Sequence, residues 1–261
     1  MTARLDHDVT GPEDAPAVVL GASMGTTREL WDPQLPALAE RRRVIRFEHR
    51  GHAASEGPAG PYRIADLGAD VLALLDGLQV DTFSYAGVSL GGMIGMWLAA
   101  QVPERVERLA LCCTSAYLPP AQAWLDRAAA VRAGGTAAVA DAVVARWFTA
   151  RLGRERPDVV EHYRSTLRDQ VGAEGYAGCC EAIAVMDLRP DLAQVNAATL
   201  VIAGAEDPAT PPEHAKEIAA LIRSGGGTAS VVVVAGGSHV ATFERADLCT
   251  PLLVEHLGGS A

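Results

Sequence analysis

Gly87-Val88-Ser89-Leu90-Gly91 sits where the β-forming run Thr82-Phe83-Ser84-Tyr85-Ala86 gives way to the apolar run Gly92-Met93-Ile94-Gly95-Met96-Trp97-Leu98-Ala99-Ala100. The first run reads as a strand and the second as a buried helix, so the pentapeptide is a sharp strand-turn-helix corner fitting G-x-S-x-G. Such a corner holds the serine in a strained backbone conformation with its hydroxyl pushed into the open, and the flanking glycines remove β-carbons that would clash there. A nucleophilic serine needs this placement. Without the strand before and the helix after, the same five residues would describe only a tight turn.

On both sides of this corner, strand-like and helix-like segments alternate along the chain. The strand candidates are Ala17 to Leu20, Arg43 to Phe47, Thr82 to Ala86, Arg108 to Cys112, Thr199 to Ala203 and Ser230 to Val234. Helices are expected near Trp31 to Glu40, Ile64 to Leu78, Gly91 to Gln101, Pro212 to Ile222 and Ala246 to His256. This alternation predicts an α/β fold: a mainly parallel sheet with helices on both faces. From Ser115 to Asn196 no strand signal appears. Alanine-rich helical stretches such as Gln122 to Arg132 and Thr136 to Phe148 are broken there by Gly134-Gly135, Gly153 and Pro157. The expected organisation is a core of residues 1–114 and 197–261 with a helical lid, 115–196, inserted between two strands. Such an insertion lies over the carboxyl edge of the strands, where open α/β sheets bind ligands.

Composition narrows the function classes. The chain has 261 residues, 49% apolar and 21% charged, with a formal charge of −10. These proportions are those of a globular domain, and a chain of this size buries about three quarters of its unfolded surface. The acidic balance argues against a nucleic-acid role, which calls for a basic stripe. Apolar runs are strand-sized rather than membrane-spanning, and the start Met1 to Asp8 lacks a secretory apolar stretch, so a soluble cytoplasmic protein is expected. Five cysteines, Cys112-Cys113, Cys179-Cys180 and Cys249, show neither a disulfide framework nor zinc-ligand spacing and read as small buried residues. No metal is expected.

A serine is a poor nucleophile until a base takes its proton, and the base needs a buried acceptor to fix its tautomer. Asp207 follows the Thr199 to Ala203 strand in Gly204-Ala205-Glu206-Asp207-Pro208, and His239 follows the next strand in Gly236-Gly237-Ser238-His239. The chain order Ser89, Asp207, His239, each at the carboxyl end of a different strand, is that of a hydrolase triad. Glu206 competes with Asp207 for the acid role. His7, His162, His214 and His256 read as residues of surface helices or the amino-terminal arm. His49 and His52, in Glu48-His49-Arg50-Gly51-His52, follow a strand and read as pins for their loop. Serine attack places negative charge on a carbonyl oxygen, which backbone N–H groups stabilise by about 2.7–4 kcal/mol per donor. Leu90 N–H, at the helix start, is one expected donor. The second is expected from Gly21-Ala22-Ser23-Met24-Gly25-Thr26, at Met24, with Ser23 as the alternative.

The chain is similar, nearly end to end, to the 3-oxoadipate enol-lactonases of the α/β-hydrolase superfamily. The resemblance rests on Ser23-Met24-Gly25-Thr26 with Trp31-Asp32-Pro33-Gln34-Leu35-Pro36-Ala37-Leu38, on Gly87 to Gly95, on Pro103-Glu104-Arg105-Val106, and on Gly204 to Pro212. Inside the lid, Arg146-Trp147-Phe148-Thr149 and Gly175-Tyr176-Ala177-Gly178-Cys179-Cys180 carry the discrimination, because the triad motifs belong to the whole superfamily. Two places depart from the pattern. Ala53 follows Arg50-Gly51-His52 where a second glycine is usual, and Val240-Ala241-Thr242-Phe243-Glu244 replaces the usual Leu-Ser-Asn-aliphatic-Glu. The resemblance implies cofactor-free opening of an anionic enol-lactone to 3-oxoadipate in the degradation of aromatic compounds. It also implies that Arg146 grips the substrate carboxylate with Trp147 as an apolar wall, against the alternative that Arg127, Arg132, Arg146 and Arg151 are solvated surface arginines. A carboxylesterase or cofactor-free perhydrolase, and a non-catalytic binding protein on the same fold, remain rival readings. Oligomeric state is not legible.

Overall fold

The computed structural model describes residues 2–258. Seven strands form one sheet in the order β1-β3-β2-β4-β5-β6-β7: His7–Thr10 (β1), Ala17–Gly21 (β2), Arg43–Phe47 (β3), Phe83–Val88 (β4), Val106–Cys112 (β5), Ala198–Gly204 (β6) and Ala229–Val234 (β7). All pairings are parallel except β1 with β3. The central strands β2 and β4 are buried along their whole length, which is why they read as unbroken apolar runs rather than as alternation. The edge strand β1 was not legible: His7-Asp8-Val9-Thr10 is half exposed and polar. It pairs through its backbone with Arg43–Phe47 neighbours, His7 opposite Phe47 and Thr10 opposite Val44.

The helices of the core are Leu35–Ala39 (α1), Ile64–Gly77 (α2), Leu90–Gln101 (α3), and, after the inserted segment, Pro212–Ser224 (α9), Ala241–Glu244 (α10) and Ala246–Gly258 (α11). The expected helix Trp31 to Glu40 is instead a 3-10 turn, Arg28–Trp31, followed by the short α1. Pro33 and Pro36 remove two of the amide donors that a continuous helix would need. Helices α2 and α3 pack together on the sheet, while α1 and α11 form a separate pair. Five helices lie between β5 and β6: Ala121–Gly134 (α4), Ala140–Val144 (α5), Ala150–Glu155 (α6), Pro157–Gln170 (α7) and Ala173–Ala184 (α8). The stretch Thr136 to Phe148, expected as one helix, is a 3-10 turn, α5 and an irregular run carrying Arg146 to Phe148. All five cysteines are free and buried. Among the described residues no helix is long and apolar enough to cross a membrane.

Candidate active site

The parallel register brings β2, β4 and β5 to a common carboxyl edge, with Gly21 opposite Gly87 and Val88 opposite Cys112. Ser89 follows immediately, at φ 54° and ψ −113°, a strained conformation for a residue with a side chain. Its N–H donates to the Cys112 carbonyl at 3.0 Å, and its carbonyl accepts from Thr114 Oγ1 at 2.7 Å, so the turn is held from the neighbouring strand. The glycines are obligatory. A β-carbon on Gly87 would sit 2.2 Å from the Gly91 carbonyl carbon, and one on Gly91 would sit 2.3 Å from the Gly21 oxygen.

The loops after β6 and β7 complete the arrangement. His239 Nε2 lies 2.9 Å from Ser89 Oγ, and His239 Nδ1 lies 2.9 Å from Asp207 Oδ2. Asp207 also accepts from Ala209 N–H (2.8 Å), Thr210 N–H (3.0 Å) and Thr210 Oγ1 (2.6 Å). Burial alone would raise its pKa, but the His239 ring and the Thr210 bonds outweigh that, and the carboxyl ends below its ordinary value. Glu206 is exposed and only its backbone joins the loop, donating to Gly237 at 3.0 Å. The geometry can therefore relay a proton from hydroxyl to imidazole with a carboxylate behind it.

Beside the serine, the loop after β2 is docked on α3: Gly91 N–H donates to the Ala22 carbonyl at 3.1 Å. Met24 N–H donates to no other described group, and Leu90 N–H belongs to the first helical turn, where amides lack intrahelical partners. Ser23 is buried in the same loop, its carbonyl occupied by Thr26 N–H and Oγ1.

A cavity of about 220 Å³ opens between these loops and the inserted helices, lined by Ser89 and His239 on one side and by Trp124, Arg127, Arg146, Trp147 and Tyr176 on the other. It is smaller than the roughly 300–1,000 Å³ of drug-sized sites. Arg146 and Trp147 both reach it. Burial and the nearby Arg127 guanidinium push the Arg146 pKa down, the sign of a cation short of an anion. Arg127, which no sequence pattern singles out, lies over the Trp124 ring at 4.5 Å. Neither arginine forms a salt bridge with a described carboxylate, whereas Arg132 pairs with Glu174 and Glu181 and Arg151 with Glu155. The hydroxyl of Tyr176 is buried beside the Arg127 guanidinium. The irregular run Arg146 to Thr149 is stitched to the His239 loop. Ser238 Oγ meets the Arg146 carbonyl (3.2 Å), Val240 N–H the Trp147 carbonyl (3.1 Å), and Glu244 accepts from Thr149 N–H and Oγ1.

The other histidines separate cleanly. His162 is exposed beside Glu29 and His7 lies in β1. His256, expected on a surface, is half-buried; its Nε2 donates to the Leu109 carbonyl at 3.0 Å, and burial lowers its pKa. His49 and His52 are enclosed and face the loop after β2.

Sheet order, elbow and carboxyl-edge loops together define an α/β-hydrolase. A family model described as the alpha/beta hydrolase fold matches residues 16–246, and the chain belongs to that family. Within it the chain stands with the 3-oxoadipate enol-lactonases, and it is an ester hydrolase. It is 39% identical to 3-oxoadipate enol-lactonase 2 of Acinetobacter baylyi over 92% of this chain and 88% of that protein. It is 34% identical to enol-lactonase 1 of the same organism over 79% and 77%. The crystal structure of the enol-lactonase from Burkholderia xenovorans superposes with a TM-score of 0.93 at 39% identity, covering 98% of this chain and 97% of that one.

Proposed function

We propose that the protein opens the ring of a carboxylated enol-lactone, 3-oxoadipate enol-lactone, through an acyl-enzyme, as a cytoplasmic step in the breakdown of aromatic compounds. Ser89 Oγ attacks the lactone carbonyl while His239 Nε2 takes its proton, and Asp207 holds the imidazole and stabilises its charged form. The oxyanion forms between Met24 N–H and Leu90 N–H. As the tetrahedral intermediate collapses, the ring C–O bond breaks and the enol oxygen leaves with the proton from His239. That group stays tethered and could close the ring again, so its conversion to the ketone makes the opening irreversible. Water, giving its proton to His239, then attacks the acyl carbon and releases Ser89 and the dicarboxylate.

The observation that carries the choice of an anionic substrate is the pair Arg127 and Arg146, two guanidiniums without carboxylate partners facing one small cavity in a chain of charge −10. A guanidinium binds a carboxylate through parallel hydrogen bonds, and the Tyr176 hydroxyl beside Arg127 offers a further donor. A charged hydrogen bond contributes about 1.5–3 kcal/mol. Arg146→Ala and Arg127→Ala should each lower kcat/KM for the enol-lactone by one to two powers of ten, with hydrolysis of neutral p-nitrophenyl acetate nearly unchanged. Equal losses on both substrates would mean that the arginines support the fold of the inserted helices. A wild-type enzyme that turns over the neutral ester but not the lactone would instead favour a carboxylesterase.

A further inference from the structure

His49 and His52 come from the loop after β3, yet their side chains bond to a different loop, the one after β2. Both are buried. Gly25 N–H donates to His52 Nε2 at 2.9 Å, and His52 Nδ1 lies 2.9 Å from the Arg50 carbonyl. A carbonyl only accepts, so the proton of His52 sits on Nδ1 and the Nε2 lone pair is left for Gly25. His49 Nε2 lies 2.7 Å from the Ala22 carbonyl and is therefore a donor. The two rings meet edge to face at 5.6 Å. One histidine thus donates to the start of Ala22-Ser23-Met24-Gly25 and the other accepts from its end, in opposite tautomers. Ala22 O also receives Gly91 N–H from the first turn of α3, next to Leu90.

We infer that His49 and His52 are positioning residues for the oxyanion site: together they clamp both ends of the Ala22 to Gly25 loop and so fix the Met24 amide relative to the Leu90 amide. The inference rests on the reading of Ser89, Met24 and Leu90 given above, and not on the identity of the lactone. Donors aimed at a developing oxyanion contribute only when held in place, and displacement by about 1 Å can cost 10²-fold. Ring burial supports the assignment, because desolvation keeps both imidazoles neutral and only a neutral His52 has a lone pair for Gly25. The loop that carries them is anchored in turn to the inserted helices, with Gly172 N–H donating to Gly51 O and Ala53 N–H to Gln170 O, both at 2.7 Å.

The test compares His52→Phe, which keeps a ring and removes the acceptor, with His52→Gln, whose amide oxygen can accept from Gly25. Each is assayed with p-nitrophenyl acetate and with an aryl trifluoromethyl ketone, which adds to the serine and places an oxyanion in the same site. His52→Phe should lose ten- to hundredfold in kcat with KM within twofold, lose ketone affinity by a similar factor, and be largely restored by His52→Gln. A folded His52→Phe protein with near-normal kcat, or with reduced kcat but unchanged ketone affinity, would overturn the clamp. Should His52→Phe fail to fold, imidazole ¹⁵N spectra of the native enzyme decide. A neutral Nδ1–H tautomer at His52 with Nε2–H at His49 is expected, and Nε2–H at His52 would overturn it. Turnover surviving in Ser89→Ala would remove the nucleophile reading itself, an outcome the His52 variants cannot produce.

Discussion

Ser89 carries a positive φ that costs on the order of 1–3 kcal/mol, and the hydrogen bonds from Ser89 N–H to Cys112 O and from Thr114 Oγ1 to Ser89 O hold it there. That strain puts Oγ 2.9 Å from His239 Nε2. Ser89→Ala should fold normally and lose several powers of ten in kcat, while a serine-directed organophosphate labels Ser89 alone in the wild type; labelling of any other residue would reject the assignment. The two neighbouring acids make a sharper comparison. Asp207 spends both oxygens on His239, Ala209 and Thr210, whereas the Glu206 side chain is in solvent. Asp207→Asn should therefore reduce kcat by about 10⁴ through the wrong tautomer, and Glu206→Gln should change it less than twofold. The reverse ranking in steady-state kinetics would move the acid by one residue. The meeting of Ser89, Asp207 and His239 could be anticipated from sequence because each follows a strand in a fixed order. Arg127 could not, since which face of an alanine-rich helix turns inward is decided by packing partners far away in the chain.

At the scale of elements, parallel strands were legible because burial on both faces leaves a continuous apolar run. β1 was not, because an antiparallel edge strand owes its place to backbone pairing rather than to side chains. The loop after β3 shows the same split. Its histidines were expected to pin it, but the partner loop they hold follows from sheet order, β3 lying beside β2, which local sequence does not encode. Ala53 closes that loop at φ 46° and is exposed. A left-handed conformation costs an L residue roughly 1–2 kcal/mol, and Ala53→Gly relieves it at a position already fixed by its N–H bond to Gln170. The variant should gain about 1 kcal/mol in urea unfolding with unchanged kcat. A loss of stability would show that backbone entropy in the unfolded chain outweighs the strain.

The whole molecule is acidic, and its buried ionisable groups around the loop after β3 set how it answers to pH. Burial lowers the pKa of His49 to about 4 and of His52 to about 3, and burial raises that of Glu48 to about 7. Below an ordinary histidine pKa of about 6.5 the unfolded chain takes up two protons that the folded protein refuses, so acidification destabilises. Glu48 has the opposite sign. Between its ordinary value of about 4.5 and 7 the folded protein holds a proton the unfolded chain has lost, so acidification through that window stabilises. The net effect of these three groups from pH 6.5 to 4.5 is one proton, a loss of about 1.4 kcal/mol per pH unit. Removing the opposing groups separately tests the sign: Glu48→Gln should steepen the slope to about twice that value, and His52→Gln should nearly flatten it. Urea melts at pH 6.5, 5.5 and 4.5 measure both. Identical slopes in the three proteins would mean that acid sensitivity arises elsewhere. The expected ordering would place the acid sensitivity of the fold in the two buried histidines that join the loop after β3 to the loop after β2.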